Sequence, residues 1–121
     1  MIVKQLTWLS KAAKEAELLI SDGKYDCVAF SQPCDIKEGD KLKKPLHAFM
    51  VSHLMTSRES YYSISLIKPN GLAQQLVAEV VDLEDSLVKV GSIEIILEER
   101  LPPGALPGSL IEFTCARLDI W

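Results

Sequence analysis

Long apolar runs are absent from this sequence, histidine is scarce, and its cysteines do not pair off. No apolar run approaches the roughly 20 residues needed to cross a bilayer, and no basic stretch followed by an apolar one opens the chain. Neither membrane insertion nor secretion is therefore expected. Cys27, Cys34 and Cys115 are an odd set that fits no common disulfide framework, so free thiols and a reducing, cytoplasmic location are expected. The glycines are scattered singly, which leaves no phosphate-cradling loop and implies no nucleotide cofactor. His47 and His53 are the only histidines. On one straight strand they would stand about 20 Å apart, too far to ligate the same ion, so no metal is implied.

What is present has the balance of an ordinary globular protein. At 121 residues, 48% hydrophobic and 25% charged, the chain predicts one domain over residues 1–121, able to bury a core without staples. Thirteen basic residues against seventeen acidic ones give a formal charge of −4, which weakens the long-range attraction most nucleic-acid binders use.

The pattern along the chain is mainly that of strands. Ile2 to Leu9 reads as a first strand, followed by Ala-, Lys- and Glu-rich residues where a short helical turn is compatible with propensity. Asp22-Gly23 between apolar segments signals a hairpin, joining strands over about 15–20 and 24–31. Gln32 to Gly39 is a loop, and Leu46 to Met55 a further strand. Tyr61 to Ile67 alternates as a half-buried strand does, and Asn70-Gly71 signals a second hairpin.

Residues 72–86 read two ways. Leu72, Leu76, Val80, Leu83 and Leu87 fall at helical spacing, whereas β-branched Val77, Val80 and Val81 after Asn-Gly favour a return strand. Gly91 to Glu99 is a strand with Ile93, Ile95 and Leu97 inward. Three prolines and two glycines make 100–108 a loop. Leu110 to Trp121 turns Ile111, Phe113 and Cys115 inward and then shifts phase to Ala116, Leu118 and Ile120, the mark of a bulge or bend.

A loose internal echo accompanies this pattern. Gly23, an apolar strand, Pro33 and Gly39-Asp-Lys-Leu42 are answered by Gly91, an apolar strand, Pro102-Pro103 and Gly108-Ser-Leu-Ile111. Such glycine-marked bends turn the corners of small barrels. The expected fold is all-β, a small, partly closed barrel of mostly antiparallel strands, with one helix near 72–86 as the alternative. In general layout it resembles five- or six-stranded barrels of the OB or SH3-like kind, and no family motif covers the chain.

Six residues stand out as candidate ligand or partner contacts: Cys34, Asp35, Lys41, Lys43, Lys44 and His47. Cys34 lies in a predicted loop, where reactive groups are displayed, but a nucleophile needs a base, and only His47 and His53 are offered. Core filling is the default for Cys27 and Cys115. Asp35, Glu38 and Asp40, and Glu79, Asp82, Glu84 and Asp85, form acidic clusters that could serve acid/base chemistry only at defined separations. Lys37, Lys41, Lys43 and Lys44 form the one basic cluster, and Tyr61 and Tyr62 are the candidates for the exposed aromatics that base stacking would want.

No convergent catalytic set emerges, and several strands look apolar on both faces, as Tyr25 and Cys27 against Val28 and Phe30 do. A non-enzymatic, self-associating interaction module is the first expectation, since a second copy or a protein partner would cover the extra faces. An OB-like domain binding single-stranded nucleic acid and a small enzyme using Cys34 or loop carboxylates are the alternatives.

Overall fold

The computed structural model describes all residues, 1–121, and is all-β. Nine strands form in chain order: β1 Ile2–Ser10, β2 Glu15–Ser21, β3 Asp26–Ser31, β4 Leu46–Thr56, β5 Ser63–Leu66, β6 Gln74–Asp82, β7 Leu87–Val90, β8 Ile93–Leu97 and β9 Leu110–Ile120. Residues 11–14 make a turn rather than a helix. None of the structure is a helix long and apolar enough to cross a membrane.

Five strands close a small barrel in the order β9-β4-β8-β7-β6 and back to β9. Its pairings are antiparallel except β4 with β8. The meander β1-β2-β3 continues outward, with β3 lying parallel to the last residues of β9. One edge of β9 therefore serves two partners: Leu110–Cys115 pair with β6, and Leu118–Ile120 pair with β3. The switch explains the phase shift read in the sequence. Cys115 and Leu118, three residues apart, both enter the core, while Ala116, expected inward, is exposed.

The helical alternative for 72–86 is not what forms. Gln74, Leu76, Ala78 and Val80 of β6 alternate into the core while the strand pairs with β5, β7 and β9; on its other face only Val77 is buried, and Gln75 and Val81 are exposed. Leu83 stands exposed in the turn that follows. The segment 87–99 also divides further than the sequence suggested, into β7 and β8 around a two-residue Gly91-Ser92 turn. Gly91 takes φ 60° and Ser92 keeps an ordinary φ, as a II′ turn requires.

The internal echo is built into the hydrogen bonds. Gly39 N–H donates to the Val3 carbonyl at 2.8 Å and Val3 N–H to the Asp40 carbonyl at 3.0 Å; Gly108 and Val80 repeat this at 2.8 and 2.9 Å with Ser109. Each unit is a three-stranded meander, a loop and a fourth strand: β1-β2-β3 with β4, and β6-β7-β8 with β9. The third strand of each lies parallel to the fourth strand of the other, Ala29 opposite Leu118 and Ile95 opposite Leu46. Exchanging the units carries Leu118 onto Leu46 and Asp119 onto His47. The antiparallel pair His47 and Asp119 thus sits on a local two-fold axis.

The units differ in closure. In the second, Gln74–Glu79 form a ladder with Leu110–Cys115, whereas in the first the equivalent contact is the single bridge Ile2 to Lys41. The 37–42 loop also covers the outer edge of β1, with Glu38 Oε1 accepting the Leu6 N–H at 3.1 Å. Buried residues of both units form one continuous core, with Phe113 its largest fully buried side chain.

Candidate functional site

At the junction of the two units the outer face of the sheet carries a row of side chains that alternation turns away from the core. Leu46, Ala48, Leu118 and Ala29 point inward. Their neighbours His47, Asp119 and Phe30 therefore share the outer face, with Phe49 and Arg117 opposite each other one step along. This juxtaposition follows from register: Phe49 is the direct cross-strand partner of Arg117, and Phe30 is its diagonal neighbour.

The Arg117 guanidinium is stacked between two rings, its central carbon 4.5 Å from the centroid of Phe30 and 4.5 Å from that of Phe49. Its Nε donates to Asp119 Oδ1 at 2.7 Å. Asp119 is buried on this outer face, so its charge depends on Arg117 for compensation. No protein group accepts from Nη1 or Nη2.

Beside this sandwich, the His47 ring stacks on Trp121 with centroids 3.7 Å apart and planes 7° from parallel. His47 Nδ1 is buried and has no hydrogen-bond partner, with Glu98 Oε1 at 3.6 Å the nearest charge. Trp121 itself is 74% exposed. Further along β4, Phe49, Met50 and Met55 are exposed as well.

The residues singled out in the sequence do not converge. Cys34 is 4% exposed and packs in the core, with its thiol donating to the Ile36 carbonyl, so it is not displayed by its loop. Asp35 is exposed and pairs with Lys14 at 3.6 Å. Lys41, Lys43 and Lys44 are exposed on the approach to β4. Only His47 belongs to the site described here, and no hydrogen bond or ion pair links any two of the six. Phe30, Phe49, Arg117, Asp119 and Trp121 were not singled out. Their signal was Arg117 and Asp119, two residues apart among the apolar residues Ala116, Leu118 and Ile120, where alternation sets both on one face.

Other polar groups are already occupied. Burial pushes the Cys27 and Cys115 thiols up to about 12. A cleft of about 430 Å³ is lined by Tyr25, Tyr61, Tyr62 and Glu79. There the Tyr62 hydroxyl donates to Glu79, which raises the Tyr62 pKa, and Glu79 also faces Lys89 at 3.8 Å. No group of three or more His, Cys, Asp or Glu side chains is placed to hold a metal ion.

Comparison of the chain with protein-family models, with curated proteins and with solved structures finds no match.

Proposed function

We propose that the chain is a non-enzymatic interaction module that meets a protein partner through the outer face of β3, β9 and β4. The observation that carries this reading is the Phe30–Arg117–Phe49 sandwich beside the exposed Trp121. Arg, aromatic residues and Met are enriched in protein interfaces, and a side chain already held in place loses little freedom on binding. Stacking fixes Arg117 before any partner arrives.

The alternatives have less support. A nucleic-acid groove calls for several cations among exposed aromatics, and the aromatic face has Arg117 with Asp119 and Glu98 around it. An enzyme using Cys34 would need that thiol exposed and activated, and it is buried.

Self-association is favoured by a separate feature, the free edge of β4. Only Leu46–Ala48 pair with β8, so from Phe49 to Thr56 that edge carries no strand, and this stretch contains no Lys, Arg, Asp or Glu. Met50 and His53, at φ 54° and 55°, interrupt the edge and limit how long a ladder a second copy could form.

Sedimentation equilibrium over a wide concentration range tests the self-association. A reversible dimer weakened by Phe49→Ala or Trp121→Ala supports it. A strict monomer at millimolar concentration removes self-association and leaves a different protein as partner.

A further inference from the structure

We propose that the free edge of the Arg117 guanidinium receives a single carboxylate side chain, flanked by apolar residues, presented by a protein partner. The inference rests on the interaction reading above and gives that partner a chemistry. An arginine offers five N–H donors in a planar fork. Here both faces of the plane are covered by Phe30 and Phe49, and the Nε edge is occupied by Asp119. What remains is the edge formed by Nη1 and Nη2, on a side chain still 34% exposed. That edge matches the two oxygens of a carboxylate, and bidentate charge-assisted pairing is among the stronger polar contacts in proteins.

The surroundings select the occupant. Phe49 exposes ring surface beside the fork, and Trp121, stacked on His47, exposes more on the same face, which suits apolar residues flanking the incoming carboxylate. A single carboxylate meets only the free edge of the fork, on the side away from the Nε–H that Asp119 holds. A nucleic-acid backbone would bring successive phosphates past the carboxylates of Glu98 and Asp119. Asp119 competes for the same guanidinium. Removing its charge therefore strengthens the response to an external carboxylate.

The test uses the full chain labelled with ¹⁵N, read at the Arg117 Nε–H and Trp121 indole N–H resonances at low salt. The probes are a blocked peptide with one Glu between leucines, the same peptide with Gln for Glu, and an oligothymidylate. The Glu peptide is expected to shift both resonances and to bind roughly tenfold more tightly than the Gln peptide, from about 1.5 kcal/mol of charge-assisted bonding. Asp119→Asn is expected to tighten the Glu peptide further, and Arg117→Lys to reduce the preference for Glu.

The comparison of the two peptides is made on the unaltered chain and does not depend on either variant folding. Equal binding of the two peptides at this face overturns the carboxylate receptor while leaving the contact surface standing. No shift at this face with either peptide overturns the receptor and counts against the surface as well. Oligothymidylate shifting Arg117 where the Glu peptide does not also overturns the proposal, in favour of phosphate.

Discussion

Gln74 uses its side-chain amide as a stand-in for a missing strand against Val28. Its Nε2 donates to the Val28 carbonyl at 2.8 Å, and its Oε1 accepts the Val28 N–H at 3.0 Å. Val28 lies just before the stretch where β3 joins β9, so no neighbouring strand reaches its backbone on that side. Gln74 is 1% exposed and opposite Cys115, the last β9 residue paired with β6. The amide thus closes the split between barrel and meander.

Gln74→Leu keeps the volume and removes both bonds to Val28 together with a third, from Nε2 to the Leu72 carbonyl at 3.2 Å. It is expected to destabilise the fold by about 2–3 kcal/mol, from three lost hydrogen bonds and partly buried backbone groups left unpaired. The shift in a urea unfolding midpoint measures it. A midpoint equal to that of the original chain would mean the split needs no bridge.

Gly91→Ala should be the most damaging glycine change. A Cβ there would come 2.4 Å from Asp22 Oδ2 and 2.6 Å from Tyr25 Cδ2, at φ 60°. The two hairpin turns, Asp22-Gly23 and Gly91-Ser92, press on each other at this point. A loss of about 2–3 kcal/mol is expected from strain and displaced contacts together. Gly23→Ala has open space at φ 96° and meets backbone strain alone, so its effect in the same melt should be smaller.

Acid sensitivity should trace in part to Asp22. Desolvation pushes its pKa up, but the N–H groups of Ser92, Tyr25 and Lys24 outweigh that and hold it below the ordinary 3.8. A carboxylate with a lowered folded-state pKa contributes stability that is present above its unfolded pKa. That stability is lost as pH falls through the folded value. The stability difference between the original chain and Asp22→Asn should therefore be full near neutrality and shrink below about pH 4. Denaturation series at several pH values would show it, and a constant difference would exclude this role.

All three thiols should be silent in the folded protein. Cys27, Cys34 and Cys115 are each buried, and the first and last are pushed up to about 12. A colorimetric disulfide reagent at neutral pH is expected to label none quickly and all after denaturation. One fast-reacting thiol in the native state would restore the cysteine-based enzyme as a reading.

By itself the sequence determined the strands and most of their turns. Gly23 and Asn70 take positive φ in the turns that their dipeptides signalled, and the alternation in 93–97 and 111–115 follows from the two-residue repeat of a pleated strand. The echo of Gly23 and Gly39 in Gly91 and Gly108 was legible for the same local reason. Tertiary structure decided what no local rule encodes. Pairing with β5, β7 and β9 makes 74–82 a strand despite its helical spacing, and the core takes in Cys34 although its loop suggested display. The site belongs to this second class. Phe30, Phe49 and the Arg117–Trp121 segment lie far apart in the chain, and they meet only because β9 changes partner after Cys115 and sets β3 beside it with β4 on its other edge. Register between distant strands is fixed by the packing of the whole core, which no single segment carries.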